Sequence, residues 1–181
     1  LIPSQNTKKG IKHEKNGVIV DGPHDFSESN YASIETLQNL LKAVMFPEDI
    51  PENMRFNLTE DDLKYLRTYL SILPSDCTKP SYDYPDNYVK YFMFGNSTSD
   101  IPSNIKIYNK IGNATGYLID NAYIVDSKNK VEFLLTAVIL SNDDGVFATS
   151  HFKTTKIGMP FLTDLGRVIY NYELNGRTVK K

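Results

Sequence analysis

The chain has 181 residues, of which 40% are hydrophobic and 23% are charged, a composition typical of a single globular domain. Its 20 basic and 22 acidic residues give a formal net charge of -2 without long runs of one sign, which argues against a nucleic-acid surface. The longest apolar stretch, FLLTAVIL from Phe133 to Leu140, is far shorter than the roughly 20 residues of a membrane-spanning helix.

Neither the single cysteine nor the three histidines form a pattern that predicts a catalytic or metal-binding site. Cys77 is the only cysteine, which excludes an internal disulfide and a cysteine-based zinc site. It lies in LPSDCTKPSYDYP, which predicts a surface loop and makes a catalytic thiol a poor hypothesis. His13, His24 and His151 are spread over polar segments without a metal-binding spacing, so we expect no metal and no cofactor.

The first part of the chain is predicted to be helical. Residues 1–30 are interpreted as an irregular lead-in with one short apolar run, and residues 31–181 as a single α+β domain whose helical part spans 31–95. Ser33 can cap a first helix that Pro47 ends, and Thr59 can cap a second helix that Pro74 ends. DNYVKYFMFG predicts a short third helix that stops at Gly95.

The second part, residues 104–176, is predicted to hold a sheet and a C-terminal helix. NIKIYNKI alternates apolar and polar residues, and YLIDNAYIVD and VEFLLTAVIL follow it after the short polar segments GNATG and SKNK. Three such strands pair as an antiparallel meander. The third is apolar on both faces in its second half, which favours a central position.

The segment GMPFLTDLGRVIYNYELNGR has a helical apolar stripe and is predicted to lie across one face of this meander. The fold class is therefore α+β: an antiparallel β-meander with a C-terminal helix packed on the sheet and an N-terminal helical region. A sheet that is apolar on both faces needs further cover. We expect that cover from missing N-terminal sequence or from another copy of the chain.

One tripeptide, Lys110-Ile111-Gly112, stands at the end of a predicted strand and before a hairpin turn. This context resembles the third box of the serine β-lactamase and penicillin-binding-protein superfamily, in which K-[T/S]-G lies on a strand that lines the active-site cleft. SIETLQNLLKAV, the two following strands and the terminal helix are similar, in order and spacing, to the C-terminal part of class A enzymes. The resemblance covers roughly residues 30–175, and it implies a partial β-lactamase/transpeptidase-like fold.

The resemblance also implies roles for four residues. Lys110 would be the catalytic electrostatic residue, and Ile111, Gly112 and Asn113 would bind substrate, with the Asn113 main-chain N–H in the oxyanion hole. The implied reaction is acyl-serine hydrolysis of a β-lactam or peptidoglycan-like amide in a periplasmic or exported protein. Ile111 departs from the family pattern, since it lacks the hydroxyl that would bind a substrate carboxylate.

The larger departure from the family pattern concerns the motif that supplies the nucleophilic serine. S-x-x-K occurs at Ser103–Lys106, Ser127–Lys130 and Ser150–Lys153, but each match falls where we predict a strand entry, a hairpin turn or a polar loop. The family pattern needs the motif at the start of a helix. No S-D-N and no E-x-x-N occurs. This segment is therefore expected to be inactive unless missing N-terminal sequence supplies the serine.

Plainer interpretations stay open beside this one. Lys110 is also typical of a charged residue that protects a strand edge from aggregation, and the whole chain is alternatively a non-enzymatic binding or assembly module. A set of aromatic residues would suit a carbohydrate platform, although we favour a role in the core. It comprises Tyr82, Tyr84, Tyr88, Tyr91, Phe92 and Phe94.

Overall fold

The computed structural model of the chain describes residues 6–142, 144–147 and 154–176. It has the predicted α+β architecture, with antiparallel sheets and a C-terminal helix. Four short strands come first, followed by two helices, a long three-stranded meander, a further short strand and the last helix. In chain order these are β1 Lys8–Lys9, β2 Lys12–Lys15, β3 Val18–Asp21, β4 His24–Asp25, α1 Ile34–Met45, α2 Glu60–Ser71, β5 Ile105–Ala114, β6 Tyr117–Asp126, β7 Val131–Leu140, β8 Val146–Phe147 and α3 Met159–Gly176.

The first two helices begin where the sequence predicts. The Ser33 side chain accepts a hydrogen bond from the Thr36 N–H at the start of α1. At the start of α2, Thr59 Oγ1 accepts from the Asp62 N–H at 3.2 Å, and Asp62 Oδ2 accepts from the Thr59 N–H at 2.9 Å. This reciprocal pair satisfies main-chain donors that a helix start leaves without partners.

The main sheet has the order β5-β6-β7, with both pairs antiparallel. A two-residue turn at Thr115 and Gly116, with φ of 49° and 83°, joins β5 to β6. The prediction that the third strand is central is wrong: β6 is central, and β7 is an edge strand within the described residues. Both faces of β7 are covered nevertheless, because α1 and α3 pack on it from opposite sides.

The hydrophobic core lies between one face of this sheet and α3. Ile107, Leu118 and Ile124 project from the sheet into a buried cluster that includes Phe92 and Leu162. α3 approaches closely at Gly166, where a Cβ atom would lie 2.6 Å from the main-chain nitrogen of Met93. The opposite face of the sheet packs on α1, where the Asn121 side chain donates to the Leu37 carbonyl at 2.7 Å.

The predicted third helix is not formed as expected. A short 3₁₀ turn spans Asp86–Val89 and gives way to irregular turns in which Met93 has φ 67°. The main-chain N–H groups of Tyr91 and Phe92 bind the side chain of Asp120, so they are not used in a helical ladder. A tertiary contact has replaced the local helix.

The lead-in contains more strand than the sequence predicts. β1 pairs with β4, and β2 lies between β3 and β8, which runs parallel to it. Phe147 of β8 is 1% exposed, and its ring lies against the rings of Phe26 and Tyr117. Across the described residues, none of the helices has the length and apolar character needed to cross a membrane.

Candidate functional site

Lys110 lies on β5 with an exposed side chain. Its Nζ donates a hydrogen bond to the carbonyl of the next residue, Ile111, at 2.8 Å. Within the described part of the chain β5 pairs with one strand, β6, so it is an edge strand of the sheet there. The Lys110 side chain projects from one face of this edge strand and is exposed.

The neighbours of Lys110 divide between the two faces of the sheet, as the alternation of β5 requires. Ile111 is half-buried against the core, and Asn113, on the same face, is exposed near the turn. Gly112 shares the face of Lys110, where a Cβ atom would lie 2.6 Å from Ile119 Cγ2. A larger residue at this position would therefore have to displace the Ile119 side chain, which gives Gly112 a role in packing within the sheet.

The matches to S-x-x-K do not open helices where they are described. Ser103 and Lys106 lie where the chain enters β5, and Ser127 and Lys130 lie in the turn between β6 and β7. The third match, at 150–153, lies outside the described residues. A second Lys-Ile-Gly sequence at 156–158 belongs to a π-helical turn before α3.

The structure also contains a buried polar cluster that the sequence analysis missed. Asp120 is fully buried on the core face of β6. Its Oδ2 accepts hydrogen bonds from the main-chain N–H groups of Tyr91 and Phe92, each at 3.1 Å. Its Oδ1 accepts from Asn109 Nδ2 at 2.8 Å. Three donors therefore surround this carboxylate.

Lys90 completes this cluster from the segment before β5. Its side chain is 2% exposed, and Nζ donates to Asn109 Oδ1 at 2.7 Å and to the Leu70 carbonyl at 3.0 Å. Asn109 also donates to the Val89 carbonyl at 2.9 Å. The network joins the end of α2, the segment after Val89 and two strands of the sheet.

Burial shifts the pKa values of both ionisable members of the cluster. Burial raises the pKa of Asp120 to about 6, although the hydrogen bonds from Asn109 and Phe92 oppose the shift. Burial lowers the pKa of Lys90 to about 8, against the attraction of Asp120 and Asp76. Each shift moves the group towards its neutral form, as expected for charges taken out of water.

A cleft of about 200 Å³ lies beside Lys90. It runs between the end of α2 and the start of β5, with both polar and apolar residues in its wall. The polar ones are Ser71, Asp76, Lys90, Ser103 and Lys106. A cleft and a buried titratable group with a shifted pKa coincide here, which is a common feature of functional sites.

A sequence signal for this cluster existed. Asn109 shares a face of β5 with Ile105, Ile107 and Ile111, and Asp120 shares a face of β6 with apolar neighbours. A polar residue on an otherwise apolar face predicts a buried hydrogen-bond partner. Lys90 had no such signal, because it lies in an irregular segment.

The aromatic residues before β5 fall into two groups. Tyr91 and Phe92 are buried in the core, as predicted, whereas Tyr82, Tyr84 and Tyr88 are exposed. These three tyrosines line an apolar cleft of about 260 Å³ that also contains Cys77. Cys77 is half-buried, and its Sγ lies 3.6 Å from the Leu73 carbonyl.

In the part of the chain that the structure describes, His, Cys, Asp and Glu side chains form no group of three or more that could hold a metal ion. His13 and His24 are neighbours, with ring centroids 5.9 Å apart. Neither a family model, nor a curated protein, nor a solved structure matches this chain.

Proposed function

We propose that this chain is the C-terminal portion of a serine hydrolase of the β-lactamase and penicillin-binding type. Its substrate would be a β-lactam or a peptidoglycan-like amide, and the nucleophilic serine would come from preceding sequence of the same protein. The observation that supports this proposal is the placement of Lys110-Ile111-Gly112 on an edge strand of an antiparallel sheet whose other layers include a C-terminal helix. The resemblance described above supplies the reaction.

In this proposal β5 supplies charge and main-chain donors rather than the nucleophile. The Lys110 ammonium would leave its bond to the Ile111 carbonyl and stabilise the negative charge that develops as the serine attacks the substrate carbonyl. The Asn113 N–H would donate to the resulting oxyanion. Loss of one such donor in a preorganised site reduces kcat by roughly 100- to 1000-fold.

A covalent label tests the proposal. This chain alone, and the product of an uninterrupted reading frame that extends it at the N-terminus, are each treated with a fluorescent penicillin. We expect the extended product to become labelled and this chain to stay unlabelled. Labelling of this chain, or an extended product that binds no penicillin, would contradict the proposal.

A matched pair of lysine variants sharpens this test in the extended product. Lys110→Ala should reduce the acylation rate by about 100-fold or more. Lys156→Ala serves as the control, because Lys156 is an exposed lysine in the second Lys-Ile-Gly sequence but lies outside the sheet. Equal rates for the two variants would count against a role for Lys110.

The alternative is a non-enzymatic binding or assembly module built on the same sheet and helix. The hydrogen bond from Lys110 Nζ to its own strand favours it, because that bond is what a structural lysine at a strand edge would make. This alternative expects no covalent labelling in any form of the protein. It also expects partner binding that survives Lys110→Ala.

A further inference from the structure

Lys90 combines features that neither function above uses. It is a primary amine that is almost fully buried, yet it belongs to the wall of the cleft between α2 and β5. Side chains with hydroxyl, carboxylate and ammonium groups share that wall, namely Ser71, Asp76, Ser103 and Lys106. Lys110 does not line this cleft, although the start of its strand does.

The hydrogen bonds of Lys90 suit a neutral amine. Nζ has two acceptors, the Leu70 carbonyl at 3.0 Å and Asn109 Oδ1 at 2.7 Å. A neutral amine has two N–H groups and one lone pair, so these acceptors use both of its protons. An ammonium group would have a third N–H to satisfy in a buried place. The two acceptors thus leave the remaining tetrahedral position of the nitrogen to the lone pair.

The charged groups around Lys90 come from three elements. Asp120 on β6 is reached through Asn109, Asp76 lies in the turn after α2, and Lys106 lies at the start of β5. Burial outweighs the two carboxylates and lowers the pKa of Lys90 to about 8. A desolvated lysine with a lowered pKa is the form of this residue that acts as a nucleophile.

We propose that the cleft beside Lys90 takes a small carbonyl compound, an aldehyde or an α-keto acid, which Lys90 binds covalently as an imine. The nitrogen lone pair forms a bond to the carbonyl carbon while one N–H proton passes to the carbonyl oxygen, which gives a carbinolamine. Loss of water, which takes the hydroxyl group and the second N–H proton, gives the imine. No oxidant or reductant is consumed.

The protonated form of the imine has a hydrogen-bond partner in place. When the imine nitrogen takes a proton from solvent, its new N–H can donate to Asn109 Oδ1, the acceptor that Lys90 Nζ already uses. Asp120 and Asp76, whose negative charges already act on Lys90, stabilise the resulting cation. Lys106 also belongs to the wall of the cleft, with its Nζ 5.3 Å from the centroid of the Tyr108 ring, and is a cation that the carboxylate of an α-keto acid could meet there. A cleft of about 200 Å³ admits small ligands only.

Reductive trapping of the imine tests this inference on the whole chain. The folded protein is treated with glyoxylate and sodium cyanoborohydride, and the modified lysines are mapped by peptide mass spectrometry. We expect Lys90 to be modified roughly tenfold faster than exposed Lys64 at neutral pH, because a lower pKa leaves more of the amine neutral. The rate at Lys90 should rise with pH and level off above about pH 8.

Four controls make the result decisive. The same reaction in denaturant should lose the preference for Lys90, and the bulkier aldehyde pyridoxal should not modify Lys90 in the folded protein. Lys90→Met should abolish the selective adduct, whereas Lys64→Met should leave it unchanged. If Lys90 in the folded wild-type chain is modified no faster than Lys64, the proposal is overturned and Lys90 is a structural amine.

Discussion

Asp120 illustrates how much a single buried residue can determine. Its position in β6 belongs to the core face, where an apolar side chain would add burial. The carboxylate instead accepts hydrogen bonds from Tyr91, Phe92 and Asn109 and so fixes the segment that leads from α2 to the sheet. Both Asp120 oxygens accept hydrogen bonds from these donors. An ionised carboxylate therefore suits this position better than an amide, because an amide would bring an NH₂ donor into the site.

We expect Asp120→Asn to destabilise the protein. The amide oxygen can accept from main-chain N–H groups, but the new NH₂ group would face another donor, Asn109 Nδ2. Below about pH 8, where Lys90 is charged, it would also lose the attraction of Asp120. Together these effects should reduce the free energy of unfolding by about 3 kcal/mol, measured by urea denaturation. Asp100→Asn, in an exposed loop, is the control and should leave the urea midpoint unchanged.

The stability of the fold should depend on pH through Asp120 and Lys90. The folded-state pKa of Asp120, about 6, exceeds its usual 3.8. The folded state therefore holds a proton that the unfolded state has lost, and this contribution to stability falls as pH rises from about 4 to 6. For Lys90 the folded-state pKa of about 8 is below 10.5. Its charged form is disfavoured in the fold, so stability rises between about pH 8 and 10.5.

Variants separate these two contributions from those of other groups. Lys90→Met should remove the rise in the urea midpoint above about pH 8. Asp120→Asn should remove the fall between about pH 4 and 6. If the variants keep the pH profile of the wild-type chain, the pKa shifts of these residues do not couple to folding.

At the scale of secondary-structure elements, the turn between β6 and β7 is held by Asp126, which is 1% exposed. Its Oδ1 accepts from the main-chain N–H groups of Lys128 and Asn129 at 2.9 and 3.1 Å, and from Asn104 Nδ2 at 2.8 Å. Its Oδ2 accepts from the Tyr170 hydroxyl at 2.6 Å. Burial acts to raise the pKa of Asp126, but the hydrogen bonds outweigh it and hold that pKa well below the usual range.

Asp126→Ala should therefore loosen several elements at once. It removes the acceptor that ties the β6–β7 turn to the start of β5 and to α3, and it leaves several donors without partners. We expect a loss of about 2–4 kcal/mol in the free energy of unfolding, seen as a lower midpoint in thermal denaturation. Lys128→Ala, at an exposed position of the same turn, should change the midpoint little. Equal effects of the two substitutions would contradict this account.

The elements that the sequence predicted correctly are those determined by interactions between residues close together in the chain. Ser33 and Thr59 start α1 and α2 through side-chain caps, and the alternation of apolar and polar residues marks β5. The predicted helix before Gly95 failed because Asp120 takes main-chain donors from a strand far along the chain. The prediction that β7 is the central strand was wrong. Apolar residues on both faces of a strand indicate that layers cover it from above and below, but they do not indicate which strands pair with it in the sheet.

In the candidate sites, too, the features with local causes were predictable from the sequence, and those that depend on tertiary contacts were not. The strand position of Lys110 was predictable, since alternation fixed which of its neighbours share its face. The Lys90 cleft was not predictable, because it depends on contacts among α2, β5 and an irregular segment. Asn109 and Asp120 carried a visible signal as polar residues on apolar faces, but their shared partner Lys90 did not.

At the scale of the whole molecule, Phe147 connects the lead-in to the main sheet. Its strand, β8, pairs in parallel with β2. Its ring lies 5.5 Å from the ring of Phe26 in the lead-in and 6.4 Å from that of Tyr117 in β6. A Cβ atom at Gly10 would lie 2.5 Å from this ring, so the lead-in main chain packs directly on it. The ring of Phe147 therefore links the lead-in to β6 of the main sheet.

Phe147→Ala should uncouple the lead-in from the rest of the fold. Truncation of a buried phenylalanine removes about 3–5 kcal/mol of packing, more than the short strands β1–β4 are expected to recover from their own few pairings. Hydrogen exchange measured by mass spectrometry should accelerate over residues 8–25, while β5–β7 stays protected because its core contacts lie around Phe92 and Leu162. Tyr172→Ala, which truncates a side chain that is 70% exposed, should leave both regions unchanged. Equal acceleration over residues 8–25 and the main sheet would instead mean that the lead-in and the sheet unfold as one cooperative unit.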